Sequence, residues 1–324
     1  FIVTEPLFIF FVIASIYLCV TYAMGKRIVM LFVSGILLGL ATMVRPVGII
    51  FIPGVLLFFV LLRGVSCRMV FVRGGIITVG FFIIVFPYVL RNKIIFDRWD
   101  LSSVAAWQFL YSHGAHFYAY KNDISPREAE LLFHEKLIEA VPVEYKDLVR
   151  NFKSGSLFIS PYMWKISLGY IKQDIPGYTV WYLFKTLPFF ISDGFRELGQ
   201  RMHLIPLAMP NITNMLISGN VAGFLREMKN NLVSLTLLII GSGLWISINF
   251  FQFIGVFAAY KPHGFARAFI PACLFFVLAT ALIAGGAVAH SRYRMSISPF
   301  MFFAAAYGLE YIMMKRVDSM RGMK

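Results

Sequence analysis

Glu5, Arg45, Arg91, Arg292 and Arg294 each stand at the rim of a long, nearly uncharged run of apolar residues. Glu5 opens the first such run in "VTEPLFIFF", and the chain stays uncharged from Pro6 to Gly25. A carboxylate there has two readings. Pro6 suits a first helical position, and an acid in the first turn complements the helix dipole. Alternatively, the acid faces a polar site at the mouth of a helix bundle. Arginine stays charged at any relevant pH and binds phosphate oxygens through two parallel N–H bonds. Several arginines at one membrane face would therefore suit a lipid phosphate or diphosphate. The structural alternative is snorkelling, with each guanidinium reaching the headgroups while its stem lies along apolar surface.

The other chemistry-bearing residues make weaker patterns. His113 and His116 have a spacing that could hold a metal on a helix, but Gly114 lies between them and a third ligand is not evident. A satisfied pair in a loop is the preferred reading. Asn211-Ile212-Thr213 matches a glycosylation sequon, a pattern too common to carry weight. The chain shows no P-loop, no Gly-x-Ser-x-Gly elbow and no dinucleotide fingerprint.

The elements that must position these residues follow from composition. Hydrophobic residues make up 59% of the 324, and charged residues only 14%, too few for a soluble domain of this length. The formal charge of +14 raises nucleic acid as a partner. The basic residues fall between long apolar runs rather than in a stripe interleaved with aromatics, so nucleic acid is excluded and a membrane is implied. The three cysteines, Cys19, Cys67 and Cys273, form neither a disulfide framework nor a metal-type spacing.

Seven stretches read as spans of roughly 30 Å of hydrocarbon: 7–24, 28–44, 47–62, 74–90, 232–259, 268–288 and 296–314. The second and third form a tight helical hairpin, because Pro46 disfavours helix in the residue before it. Lysine and arginine in the short links set the orientation. With the N-terminus outside, the inner links hold Lys26, Arg27, Arg63, Arg68, Arg73, Lys261, Arg267, Lys315, Arg316, Arg321 and Lys324. The short outer links hold only Arg45, Arg292 and Arg294. Glu5 is then extracytoplasmic.

The expected organisation is an all-α, polytopic transmembrane bundle. About four spans lie in 1–91, an extracytoplasmic segment of soluble and interfacial helices in 92–231, and about three spans with a short cytoplasmic tail in 232–324. Within the outer segment, Ser125-Pro126-Arg127-Glu128 is a capping box with proline at the first helical position. Behind it Ala129, Leu132, Phe133, Leu137 and Ala140 are expected to line one face. The aromatic, apolar stretch "PGYTVWYLFKTLPFFISDGF" at 176–195 reads as helix lying at the interface. The chain begins with Phe1, without a basic segment or cleavage site ahead of the first run. It reads as a piece of a longer protein that lacks its N-terminal part.

Four collinear stretches carry a family resemblance. "VTEPLFIFFVIASIYL" at 3–18 resembles the outer-end acid and following helix of the GT-C polytopic membrane glycosyltransferases. "GILLGLATMVRPVGIIFIP" at 35–53 is similar to their Arg-Pro helical hairpin. "FPYVLRNKIIFDRW" at 86–99 looks like the helix end and Arg-Asn turn that opens their outer loop. "HSRYRMSISPFMFFAAAYGLEY" at 290–311 resembles their late Arg-Tyr-Arg segment. The similarity is greatest to the protein O-mannosyltransferase-like and lipid A aminoarabinose transferase-like members. It covers most of 3–100 and 230–311, and least of the middle segment.

The resemblance implies transfer of a sugar, with inversion, from a polyprenyl phosphate to a lipid, glycan or protein acceptor at the extracytoplasmic face. The setting is a bacterial or archaeal plasma membrane. It implies a carboxylate general base in a first outer loop that would precede Phe1, so the chain alone would be inactive. It carries Glu5 over as a second-site acid able to bind a divalent cation, Mg or Mn, or to shape the acceptor pocket. Arg45, Arg91, Arg292 and Arg294 become candidates for holding the donor phosphate. Asn92 and Tyr293 become candidates for orienting those groups or bonding the sugar. A flippase for lipid-linked sugars, or another polytopic transporter, is the alternative. Transporters usually show paired halves and broken helices at the midplane, whereas here the polar residues collect at the outer face.

Overall fold

A computed structural model describes residues 4–25, 27–62, 65–151, 157–191, 220–230, 232–260, 265–285 and 294–321. Among these residues every regular element is helical, which bears out the all-α expectation. Four helices are long and apolar enough to cross a membrane: α1 (Thr4–Ala23), α4 (Cys67–Phe96), residues Ile239–Tyr260 of α12 (Leu232–Tyr260) and α13 (Ala266–Ile283). Their large side chains are widely exposed, Phe71 by 80% and Phe253 by 64%. Water would penalise so much open apolar surface, whereas lipid solvates it. The protein is membrane-embedded.

The other three expected spans are helical but fall short. Val29–Val44 (α2) and Pro46–Leu61 are apolar but brief. The last helix, α14 (Ser298–Arg321), has the length but is interrupted by Glu310, Lys315 and Arg316. Pro46 acts as expected. Arg45 caps α2 in an extended conformation, and Pro46 starts a 3-10 turn, Pro46–Ile50, that leads into α3 (Phe51–Leu61). The turn is close: a Cβ on Gly48 would lie 2.7 Å from Thr42 Oγ1.

The chain divides into two compact units. The first contains α1, α2, most of α4 and the helical segment that follows α4. Here α1 and α2 run antiparallel, tied by Ser15 Oγ donating to Ser34 O at 3.0 Å. Contacts of α2 with α4 advance together along both helices. A Cβ on Gly35 would meet Ile77 O at 2.1 Å, and one on Gly39 would meet Phe81 O at 3.0 Å. The two helices are therefore parallel, in near backbone contact.

Helix α4 does not end at Arg91. It continues past Pro87 to Phe96, so Arg91-Asn92 lies inside the helix rather than in a turn opening the loop. Helical backbone then stops at Asp97, whose φ is +55°. Short polar side chains tolerate this left-handed conformation best after glycine.

Six helices and a π-helix build the rest of this segment: α5 (Val104–Gln108), the π-helix Phe109–Ala115, α6 (His116–Asn122), α7 (Pro126–Ala140), α8 (Val143–Arg150), α9 (Ser160–Ile171) and α10 (Ile175–Ile191). Ser125 accepts a hydrogen bond from the Glu128 N–H at 3.2 Å and starts α7, as the capping box requires. Asp174 starts α10 in the same way, accepting from Gly177 N–H at 2.9 Å. The buried face of α7 is Ala129, Phe133, His134 and Leu137. Leu132 and Ala140, expected on that face, are exposed, because the buried stripe follows the four-residue rows instead.

The second unit contains most of α3, the last residues of α10, α11 (Val221–Asn230), α12, α13 and α14. Helices α12 and α14 cross at two glycines. A Cβ on Gly255 would lie 2.1 Å from Ala304 O, and one on Gly308 would lie 2.0 Å from Phe251 O. In lipid such backbone approach supplies the packing that hydrophobicity cannot.

This crossing gives a signed prediction. Gly→Ala inside a helix ordinarily stabilises by up to about 1 kcal/mol. Gly243→Ala, on the same helix with nothing within 4 Å of the new Cβ, should be neutral or stabilising. Gly255→Ala should instead lower the thermal midpoint, because overpacking costs about 1–3 kcal/mol. Thermal unfolding in detergent compares the two, and equal midpoints would refute the close crossing.

Candidate functional site

The first unit brings two of the residues singled out by sequence into contact and sets a third at a similar level. Glu5, in the first turn of α1, is fully buried, and its Oε1 lies 3.1 Å from Arg45 Nη1. Arg45 reaches it because the chain is extended there, between α2 and the 3-10 turn. The parallel register of α2 and α4 fixes the level of Arg91. Gly39 lies against Phe81 and Ile84. Advancing both helices equally carries Gly39 to Arg45 and the α4 pair to Pro87 and Leu90, within about one turn, ~5 Å, of Arg91. One helix end thus presents Glu5, Arg45 and Arg91.

Their environments differ. Glu5 is enclosed and Arg45 largely so, while Arg91 is exposed. Arg91 Nη1 donates to Asn92 Oδ1 at 3.1 Å, and its guanidinium lies 5.8 Å from the Tyr88 ring centre. The guanidinium also lies 6.0 Å from the Phe96 ring centre. Asn92 is buried and occupied: besides accepting from Arg91, its Nδ2 donates to Asp100 O at 2.9 Å and Leu101 O at 3.4 Å. It folds the chain leaving α4 back against that helix, which supports Arg91 and leaves little of the amide for a sugar.

Arg294 belongs to the second unit. It is 1% exposed. Its guanidinium lies 3.7 Å from the Trp245 ring centre, and Nη1 donates to Phe189 O at 2.9 Å. Asn249 Nδ2 donates to the next carbonyl, Phe190 O, at 3.0 Å. These are last-turn carbonyls of α10, which lack partners within the helix. Arg294 therefore caps a helix C-terminus and stacks on an aromatic face, a use that charge placement alone did not reveal. Arg292 and Tyr293 lie outside the described residues, as does the Asn211-Ile212-Thr213 sequon.

Among the described residues no three His, Cys, Asp or Glu side chains gather to hold a metal ion. Glu5 has a guanidinium against its Oε1, which disfavours a dication at the same oxygen.

His113 and His116 are helical rather than in a loop, and each has its own partner. His116 Nε2 meets Glu130 Oε1 at 2.7 Å. His113, in the π-helix, meets the Tyr178 hydroxyl at 2.9 Å through Nδ1 and stacks between Phe109 and Tyr182. His134 Nδ1 meets the Tyr111 hydroxyl at 2.7 Å. Burial holds His113 down to about 4, with the charge on His116 adding to the effect, and burial also lowers His134. Burial pushes the Tyr111 phenol up to about 12. His113 and His134, held neutral by burial, join the helices of this segment.

No family model matches the chain, and no curated protein or solved structure is similar to it.

Two predictions follow from this geometry. Removing one partner of a buried ion pair typically costs about 3–5 kcal/mol, because the other charge is stranded. Glu5→Gln and Arg45→Met should each destabilise strongly, and the double variant should lose far less than the sum. A double-mutant cycle on unfolding free energy measures this, and additive losses would show that the pair is not coupled. The histidines set a pH dependence. Their folded-state values lie below the unfolded value of about 6.5, so the unfolded chain binds more protons in between. The stability they contribute is present above about 6.5 and is lost as pH falls toward 4. Thermal midpoints of the wild type should drop from pH 7 to pH 4.5, and His113→Gln should shrink the drop. An unchanged drop in that variant would exclude His113 as a source.

Proposed function

We propose that the chain is a multi-pass membrane glycosyltransferase that moves a sugar from a polyprenyl-phosphate donor to an acceptor at the extracytoplasmic face. The observation that carries this reading is the placing of an exposed Arg91 at the same helix end as the buried Glu5–Arg45 pair. That end is also where the helical segment after α4 begins, an arrangement that suits an enzyme receiving acceptors from that side.

In this reading Arg91 touches the donor phosphate through its guanidinium fork. Arg45 adds positive charge behind it, and Glu5 is a positioning residue that fixes the Arg45 guanidinium. The acceptor oxygen attacks the anomeric carbon, its proton passes to a carboxylate base, and the C–O electron pair leaves with the polyprenyl phosphate. Negative charge grows on the phosphate as that bond breaks, and preorganised guanidinium groups favour the transition state over the ground state. The Arg45 guanidinium seated against its Oε1 supports the positioning role of Glu5.

Topology is tested with the chain's own thiol. Cys67 is exposed and, with the N-terminus outside, faces the cytoplasm, whereas Asn122 is extracytoplasmic. An impermeant thiol reagent on intact cells should miss Cys67 and mark Asn122→Cys in a Cys67→Ser background. The reverse pattern overturns the orientation and the function with it. Activity is tested with the full-length protein in proteoliposomes, supplied with radiolabelled polyprenyl-phosphate sugar and membrane acceptors. A charge-assisted contact is worth about 1.5–3 kcal/mol, so Arg91→Ala should lower kcat/KM roughly 10- to 100-fold. Arg91→Lys, keeping charge without the fork, should fall between. Unchanged kinetics in Arg91→Ala would remove Arg91 from the donor site, and movement of the intact donor without transfer would make the chain a flippase.

A further inference from the structure

Helix α10 has two unlike faces. Val180, Leu183, Phe184, Leu187 and Ile191 are exposed along one side. Tyr178 and Trp181 turn the other way, toward Phe117, whose ring centre lies 5.4 Å and 5.6 Å from theirs, and Lys185 follows on that face by helical spacing. Trp181 is 3% exposed, yet its indole Nε1–H has no hydrogen-bond partner among the described residues. A buried donor left unsatisfied is rare in folded proteins and calls for a ligand or a water. The Tyr178 hydroxyl does not answer it, being engaged by His113.

Lys185 stands one helical turn beyond Trp181, so the two side chains are neighbours on the same face. It is half-buried and makes no ion pair with a carboxylate among the described residues. Burial alone depresses its ammonium below the usual lysine range. Two donors, one neutral and one cationic, thus share a face without an acceptor among the described residues, and the indole lies among aromatic rings. The exposed aliphatic face on the opposite side suits α10 to the lipid interface, where phosphate is the abundant anion.

We propose that Trp181 Nε1 and Lys185 Nζ form a second anion subsite, separate from the Glu5–Arg45–Arg91 cluster, that takes the phosphate of a lipid headgroup. A tetrahedral phosphate offers oxygens in several directions and can accept from both donors at once. Lysine serves here as a point charge at the mouth, and the indole fixes orientation from inside. The subsite does not depend on sugar transfer.

The test uses the full chain in detergent, with indole nitrogens labelled for NMR and the Trp181 resonance assigned by its loss in Trp181→Phe. Dioctanoyl phosphatidate is titrated in, beside dioctanoylglycerol and inorganic phosphate. Phosphatidate should shift the Trp181 indole signal saturably, dioctanoylglycerol should leave it unmoved, and Lys185→Gln should weaken the apparent Kd at least tenfold. Lys185→Arg, which keeps the charge, should retain binding and so separates lost charge from lost fold. An equal shift with inorganic phosphate would keep the anion subsite and assign it to free phosphate. No shift with either phosphate, an equal shift with dioctanoylglycerol, or unchanged affinity in Lys185→Gln would each overturn the subsite. All of these readouts are free of sugar, so their failure is distinguishable from failure of the transferase reading.

Discussion

A carboxylate fully buried in the first turn of a membrane helix cannot stand alone, and the pairing of Glu5 with Arg45 answers that constraint. The cost of withdrawing two charges from water is offset only when they meet in good geometry. Meeting requires that Arg45 leave helical backbone, and Pro46 ensures that it does: the chain is extended at Arg45 and turns again at once through Gly48. The ion pair, the hairpin break and the antiparallel seating of α1 on α2 are therefore one feature seen three ways. Ser15, Ser34 and Cys19 continue the same seam with hydroxyl and thiol contacts of 2.7 to 3.0 Å. The register of the seam sets the height of Arg45, and the glycine contacts of α2 with α4 transmit that height to Arg91.

Much of this was legible in the sequence because lipid imposes coarse rules. All seven apolar runs are helical where described, since no other local structure satisfies backbone polar groups in hydrocarbon. The Pro46 break and the Ser125 cap were legible because each rests on residues adjacent in sequence. What was not legible depends on partners far along the chain. Pro87 invites a helix end in α4, yet the helix continues, because tertiary packing overrides propensity and the freed carbonyl is tolerated. The π-helix at Phe109–Ala115 leaves no signature that periodicity can detect. The Trp245 face beneath Arg294 belongs to a different helix, so the sequence showed a cation at a membrane edge and not its aromatic seat.

The same distinction sorts the arginines. Arg294 has a carbonyl and an indole ring, and Arg45 has a carboxylate, so in both the charge is answered within the protein. Arg91 is different in kind. Among the described residues its hydrogen bond is to its own neighbour, Asn92, which is in turn fixed by two backbone carbonyls. That arrangement steadies an exposed guanidinium without neutralising it, and in the proposed reading this preorganises the fork for a ligand.

Trp181 and Lys185 extend that logic to the helices after α4. Polar groups elsewhere in this segment are paired, Tyr111 with His134, His113 with Tyr178, His116 with Glu130 and Lys121 with Asp174, although the buried Ser160 Oγ is not. Against these pairs, the indole N–H at 3% exposure has no partner among the described residues. Packing alone does not explain it, since Phe would fill a similar volume without stranding a donor. Nor does solubility explain Lys185, whose ammonium loses hydration without gaining a carboxylate. Two such exceptions one turn apart, on the face of α10 opposite its exposed aliphatic side, are more economically explained by one anion than by two unrelated faults.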